Sequence, residues 1–216
     1  MKGEKQMKTI LKKEGNKMKN NKKEMDVVFL LDRSGSMSNC VEDTIGGYNS
    51  YLQEQRKKGY NTKISTILFD DQYEVLYNRV PINNVKKLTN KEYYVRGCTA
   101  LLDAIGKTIN NLDREVNNKV LFIITTDGLE NASTEYRKND IKKLIEKHSN
   151  WEFLYIGANI DSYAEGQTLG ISRNNISNYK KGKVGVGKLF RSLEKASTCL
   201  MENECLDSSW KEDLEN

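Results

Sequence analysis

Five oxygen-bearing side chains stand out for their type and spacing. In Asp32-Arg33-Ser34-Gly35-Ser36 a carboxylate and two hydroxyls occupy alternate positions just after the apolar run MDVVFLL at 25–31, with Gly35 letting the loop curl. Alternation allows the three to converge on one point. Thr99 follows Gly97-Cys98, and Asp127 follows a second strongly apolar run, VLFIIT at 120–125. Two carboxylates balance a divalent charge, and hydroxyls complete the all-oxygen set that hard cations such as Mg²⁺ prefer, usually with some water retained. Neutral donors leave such an ion electrophilic, with a position open to a carboxylate from another molecule. Taken singly each piece is weak, because an Asp or Thr at a strand–helix junction is often only a cap and DxSxS alone is a loose pattern.

The elements around these residues must carry them to one place. Residues 25–31 read as a strand buried on both faces, ending at Asp32. Apolar or aromatic residues at 41, 45, 48, 51 and 52 predict a helix over 41–58, stopped by Gly59. Gly46-Gly47 within it implies close packing against the sheet. KISTILF at 63–69 and the β-rich run at 73–80 lie too close for a crossover, so they form an antiparallel hairpin closed by Pro81. Leu101, Ala104, Ile105, Thr108, Ile109 and Leu112 give 100–116 one apolar helical face. The pattern continues with a strand at 120–125, a helix at 137–148, a strand at 151–157, a helical stretch at 162–169 and a last helix at 186–201. Such alternation predicts an α/β fold with a mostly parallel sheet, one antiparallel edge strand and helices on both faces. In open sheets of this kind, ligands gather outside the carboxyl ends of the strands, where Asp32 and Asp127 stand.

Together DRSGS at 32–36, GCTALLDAI at 97–105 and TDGLEN at 126–131 resemble the three motifs of a von Willebrand factor type A (vWA) domain, in the family's order. The resemblance covers roughly residues 25–202 and implies a three-layer, doubly wound, Rossmann-like fold of the intracellular bacterial or phage type. It implies a complete metal-ion-dependent adhesion site made of Asp32, Ser34, Ser36, Thr99 and Asp127. Mg²⁺ is the expected ion, with Mn²⁺ or Ca²⁺ as alternatives. Arg33, Met37 and Glu130 would form the rim that meets a protein partner presenting an Asp or Glu carboxylate. Cys98 departs from the glycine common at its position, which would make the loop redox-sensitive.

The bulk composition narrows the rest. Net charge is +5, but nine lysines against three glutamates in residues 1–24 leave the remainder nearly neutral, without the basic face of a dedicated nucleic-acid binder. Residues 1–24 are too poor in apolar side chains to offset the entropy of ordering and read as a disordered basic extension. Lys12-Lys13-Glu14-Gly15 could be encoded as a purine-rich ribosome-binding sequence, which would place the true start at Met18. Residues 203–216 read as an acidic, frayed tail. Four cysteines without a CxxC pair, and a single histidine expected on the surface at a helix end, argue against zinc. No membrane-length apolar stretch or secretory signal is found, so the cytoplasm is expected. GKVGVGK at 182–188 has P-loop spacing, but Leu189 stands where the metal-binding Ser or Thr belongs. No histidine accompanies Ser34 or Ser36 in their motif, which disfavours nucleophilic catalysis. The expectation is a non-enzymatic, metal-dependent protein-binding module. A domain merely stabilised by its metal is the alternative, and a metal-dependent hydrolase is less favoured because the sequence marks no general base.

Overall fold

The computed structural model describes residues 23–116, 118–203 and 205–215. All but the last two residues of the expected extension, and Met18 with them, lie outside the described residues. Glu24 already belongs to the first strand.

Six strands form one sheet: β1 (Glu24–Asp32), β2 (Asn61–Phe69), β3 (Tyr73–Pro81), β4 (Lys119–Thr126), β5 (Trp151–Gly157) and β6 (Ile176–Asn178), in the order β3-β2-β1-β4-β5-β6. All pairings are parallel except β2 with β3. β1 is central, and its side chains alternate between two cores. Val27, Phe29 and Leu31 pack with α1 (Val41–Lys58) and α5 (Lys183–Asn203) through Tyr48, Leu52, Phe190 and Leu193. Val28 and Leu30 face α2 (Leu101–Asp113) and α3 (Lys138–Lys147) through Ile105, Ile109 and Ile141, and α4 (Ser162–Thr168) follows β5. This two-sided burial is why the strand reads as an unbroken apolar run. Two tyrosines of α1 sit edge-on to Phe29, with centroids 5.2 and 5.0 Å away. Their buried hydroxyls are satisfied by Thr66 for Tyr48 and Ser197 for Tyr51.

Chain connections leave β1 toward β2 on one side, while β4 lies on the other, so the loops after β1 and β4 diverge at the carboxyl edge. That divergence opens a crevice at the ends carrying Asp32 and Asp127.

Several expectations are corrected in detail. The Gly46-Gly47 pair does not serve the sheet: a Cβ on Gly47 would collide with the Phe190 ring of α5, whereas Gly46 faces open space. His148 is buried, not at the surface, with Nε2 2.7 Å from Asp113 Oδ1 and Nδ1 2.7 Å from the Leu144 carbonyl. The short β6 was missed because Ile-Ser-Asn carries no apolar run; its pairing with β5 defines it. Among the described residues no helix is long and apolar enough to cross a membrane.

The chain's end differs most. After α5 it folds back through a 3-10 turn (Ser208–Lys211) and α6 (Glu212–Glu215) and does not fray as a tail. Trp210 is 1% exposed, its indole N–H donating to the Asn174 carbonyl at 3.0 Å, and Lys211 Nζ donates to the carbonyls of Arg173 and Ile176. An isolated tryptophan in acidic sequence gave little sign of this, because its partners lie some 36 residues upstream. Trp210→Ala should lower the unfolding free energy in urea by about 3 kcal/mol, the lower end for a buried aromatic. A loss under about 0.5 kcal/mol, the range of a surface site, would mean that the segment is not docked.

Candidate metal centre

The sequence-predicted ligands come together at the carboxyl edge. Asp32 ends β1 with no exposed surface, and its carboxylate is shared between two loops. Oδ1 accepts the Ser34 backbone N–H at 2.7 Å, and Oδ2 accepts the Thr126 hydroxyl at 2.6 Å. Ser34 Oγ lies 3.0 Å from Ser36 Oγ, whose hydroxyl in turn donates to Asp127 Oδ1 at 2.5 Å. Gly128 locates the centre of the group: a Cβ there would stand 3.0 Å from Thr99 Oγ1, 3.3 Å from Ser36 Oγ and 3.9 Å from Ser34 Oγ. A residue without a side chain therefore lies against the converging hydroxyls.

Backbone bonds hold the second and third loops in place. Thr99 N donates to Asn131 Oδ1 at 2.9 Å, and Asn131 N returns a bond to the Thr99 carbonyl at 3.0 Å. Glu130 accepts from Leu102 N at the start of α2 and from Ala132 N and Ser133 N in its own loop, so its carboxylate is occupied as a cap. Asp103 accepts three backbone N–H groups of residues 134–136, and those bonds outweigh its partial burial to hold its carboxyl below the usual range.

The first and second loops are pinned by a group the sequence reading missed. Asp70, at the end of β2 and fully buried, accepts Arg33 Nε at 3.0 Å and Arg96 Nε at 2.6 Å. Its carbonyl accepts Ala100 N, while Arg96 N donates to the Arg33 carbonyl and Gly35 N to the Gly97 carbonyl. Arg33 Nη2 lies 2.8 Å from Glu74 Oε2, an ion-pair contact without hydrogen-bond alignment, and Nη1 has no hydrogen-bond partner among the described residues. Tyr94 covers the guanidinium at 5.5 Å. The signal of Asp70 in the sequence is a third aspartate directly after a strand, at the turn of the hairpin.

The expected rim is corrected accordingly. Arg33 has no exposed surface and turns inward to Asp70, because alternation in the loop points it away from Ser34 and Ser36. Met37 is also buried, with its sulfur 3.9 Å from the Tyr179 hydroxyl. Glu130 is half-buried and committed to its cap. A cation nobody would read from sequence does reach the centre: Lys181, from the loop before α5, ion-pairs with Asp127 Oδ2 and donates to the Ser36 carbonyl at 3.1 Å.

The electrostatics suit a cation. Burial pushes the Asp32 carboxyl up to about 6, against the hydrogen bonds from Thr126 and Ser34, and the nearby Asp127 charge pushes the same way. Among the described residues Asp127 Oδ2 is buried without an aligned hydrogen bond, and the Lys181 ammonium forms an ion pair with it. Among the described residues no three His, Cys, Asp or Glu side chains gather as a metal group. What gathers is two carboxylates and three hydroxyls, a hard-oxygen set that fits Mg²⁺ or Mn²⁺ and not a thiolate–imidazole metal site.

Neither family models nor curated proteins match this sequence. Solved structures do. Proximal thread matrix protein 1 from the mussel byssus, with a zinc-occupied MIDAS motif, is 16% identical with a TM-score of 0.58 over 81% of this chain and 46% of that one. The von Willebrand factor type A protein from Catenulispora acidiphila is 13% identical, with a TM-score of 0.55 over 81% and 42%. The ArnB paralog VWA2 from Sulfolobus acidocaldarius is 22% identical, with a TM-score of 0.52 over 80% and 44%. This chain spans less than half the length of each of these neighbours. The fold is that of the vWA domain: a three-layer, Rossmann-like α/β architecture with one antiparallel edge strand.

Proposed function

We propose that this chain is a divalent-metal-dependent protein-binding module whose Mg²⁺ is held by Asp32, Ser34, Ser36, Thr99 and Asp127. The observation that carries this reading is the convergence of three hydroxyls and Asp127 beside Gly128 at the crevice edge. When bound, the ion supplies an electrophilic position that accepts a carboxylate oxygen from an acidic partner. The protein's own part is to hold the oxygens ready. Asp32 orients the Ser34 backbone and the Thr126 hydroxyl, Asn131 fixes Thr99, and Asp70 sets the spacing of the first two loops. No enzymatic step is proposed, since the groups touching the centre are ligands, backbone amides and Lys181. The lone histidine is occupied between Asp113 and Leu144. Nucleic acid and membrane are not the proposed targets, and the proposed compartment is the cytoplasm, in keeping with four unpaired cysteines.

Thr99→Ala tests the reading, because the Thr99 hydroxyl makes no hydrogen bond among the described residues and its removal leaves both backbone bonds to Asn131. Mn²⁺ binding measured calorimetrically should weaken by at least tenfold, and protein partners captured in Mg²⁺ but released by EDTA should disappear with the variant. An unchanged Mn²⁺ affinity would remove Thr99 from the site. Partners equally retained in EDTA would favour a metal that only ties the three loops together.

A further inference from the structure

The metal centre has a fixed cation of its own. Lys181 Nζ meets the one Asp127 oxygen that lacks an aligned hydrogen bond, and it also takes the Ser36 carbonyl of the first loop. The ammonium thus bridges the first and third ligand loops, which is also what a metal held by Ser36 and Asp127 would do. Its placement is built into the chain. On one side Tyr179 is 5% exposed and its N–H donates to the Gly157 carbonyl at 2.9 Å. On the other, Gly182 adopts φ +98°, Val186 N donates to its carbonyl, and Gly185 lies so tightly against the Lys180 carbonyl that no Cβ would fit. The loop is therefore clamped at both ends, with Lys181 between the clamps and its side chain only 22% exposed.

We propose that Lys181 is a resident competitor that sets the divalent-ion affinity of this centre, its ammonium leaving Asp127 Oδ2 when a divalent ion is bound. This rests on the metal-site reading above. An ammonium and a metal ion cannot share one carboxylate lone pair, and two cations on a buried carboxylate repel, so occupation by one opposes the other. The displaced side chain has a place to go: Lys181 already lines a cavity of about 420 Å³ together with Lys180, Lys183 and Lys188. Moving there gives up the Asp127 carboxylate for a wall with no carboxylate among its lining residues, which further lowers the apparent affinity for the divalent ion. With Lys181 on Asp127 the buried carboxylate stays neutralised when no metal is bound, so the loops keep their arrangement.

Calorimetric titration with Mn²⁺, together with melting in EDTA, separates the outcomes. Lys181→Met should bind Mn²⁺ roughly tenfold more tightly, about the 1.4 kcal/mol released when a competing ion pair is removed, and should melt lower than wild type in EDTA. Lys183→Met removes the same charge from the same cavity without touching Asp127, and it should change Mn²⁺ affinity by no more than about twofold. Lys181→Gln serves as the second variant should the methionine fail to fold. Unchanged or weaker Mn²⁺ binding by both Lys181 variants overturns the competitor role while leaving the metal site standing, as does an equal gain in Lys183→Met. Failure of wild type and variants alike to bind Mn²⁺ overturns the metal-site reading along with it.

Discussion

Mg²⁺ or Mn²⁺ at a hundredfold excess over its dissociation constant should raise the melting temperature of the wild-type protein by about 5–10 °C, and Asp32→Asn should abolish that shift. In the same experiment the variant should melt higher than wild type when metal is absent at pH 7. The reason is the environment of Asp32. Its carboxylate is wholly buried, and burial raises its pKa to about 6. A folded-state pKa above the ordinary 3.8 means that the folded protein holds this proton more tightly than the unfolded chain does. The stability that goes with the proton is fully present below about pH 4 and is lost as pH rises through 6. At pH 7 the ionised group carries a desolvation cost of roughly 1–3 kcal/mol that a neutral amide avoids. Asparagine keeps both contacts: its oxygen accepts Ser34 N–H, and its amide donates to Thr126 Oγ1, whose hydroxyl turns to the Gly128 carbonyl 3.1 Å away. Thermal melts with and without metal at pH 7 and pH 4.5 check the claim, since the gap between variant and wild type should narrow in acid. A variant that still shifts with Mg²⁺ would remove Asp32 from the ligand set. One that melts lower without metal would mean that its charge is needed for folding.

Asp70→Ala should destabilise the protein by about 3–5 kcal/mol, lowering the melting temperature by roughly 10 °C. It strands the Arg33 guanidinium, which has no exposed surface, leaving it among the described residues the half-exposed Glu74 and the face of Tyr94. It also frees Arg96, whose backbone N–H carries the Arg33 carbonyl. Because the Ser34–Ser36 loop and the Thr99 loop hang from this one carboxylate, metal affinity should fall as well, although Asp70 is not among the ligands. Replacing both charges, as Arg33→Leu with Asp70→Val, should recover part of the stability because no buried ion is left without a partner. Equilibrium urea unfolding of the two single variants and the double variant gives the coupling. Additive losses would show that the pair does not act as a unit.

The ten longer elements were legible in the sequence to within a few residues, and for a definite reason. Strands buried on both faces read as unbroken apolar runs, as in 25–31 and 120–125, while helices packed on one side repeat every three to four residues, as Leu101 to Leu112 do. Both are local signals. The five proposed ligands stand out for a similar reason: DxSxS, the threonine and the second aspartate each sit beside a strand or helix boundary that the periodicity marks.

Local pattern in the chain thus carries the α/β layering and the oxygen set of the centre, two carboxylates and three hydroxyls beside strand and helix ends. Which neighbours of those oxygens face the centre and which face the core depends on contacts between distant segments. Arg33 and Met37 turn inward, Glu130 becomes a helix cap, and Trp210 returns the chain's end to the body. Lys181 enters from 145 residues beyond Ser36. Side-chain direction in a curled loop, and ion pairs between segments far apart in sequence, depend on how closely two backbones approach. No periodicity within either segment records that distance.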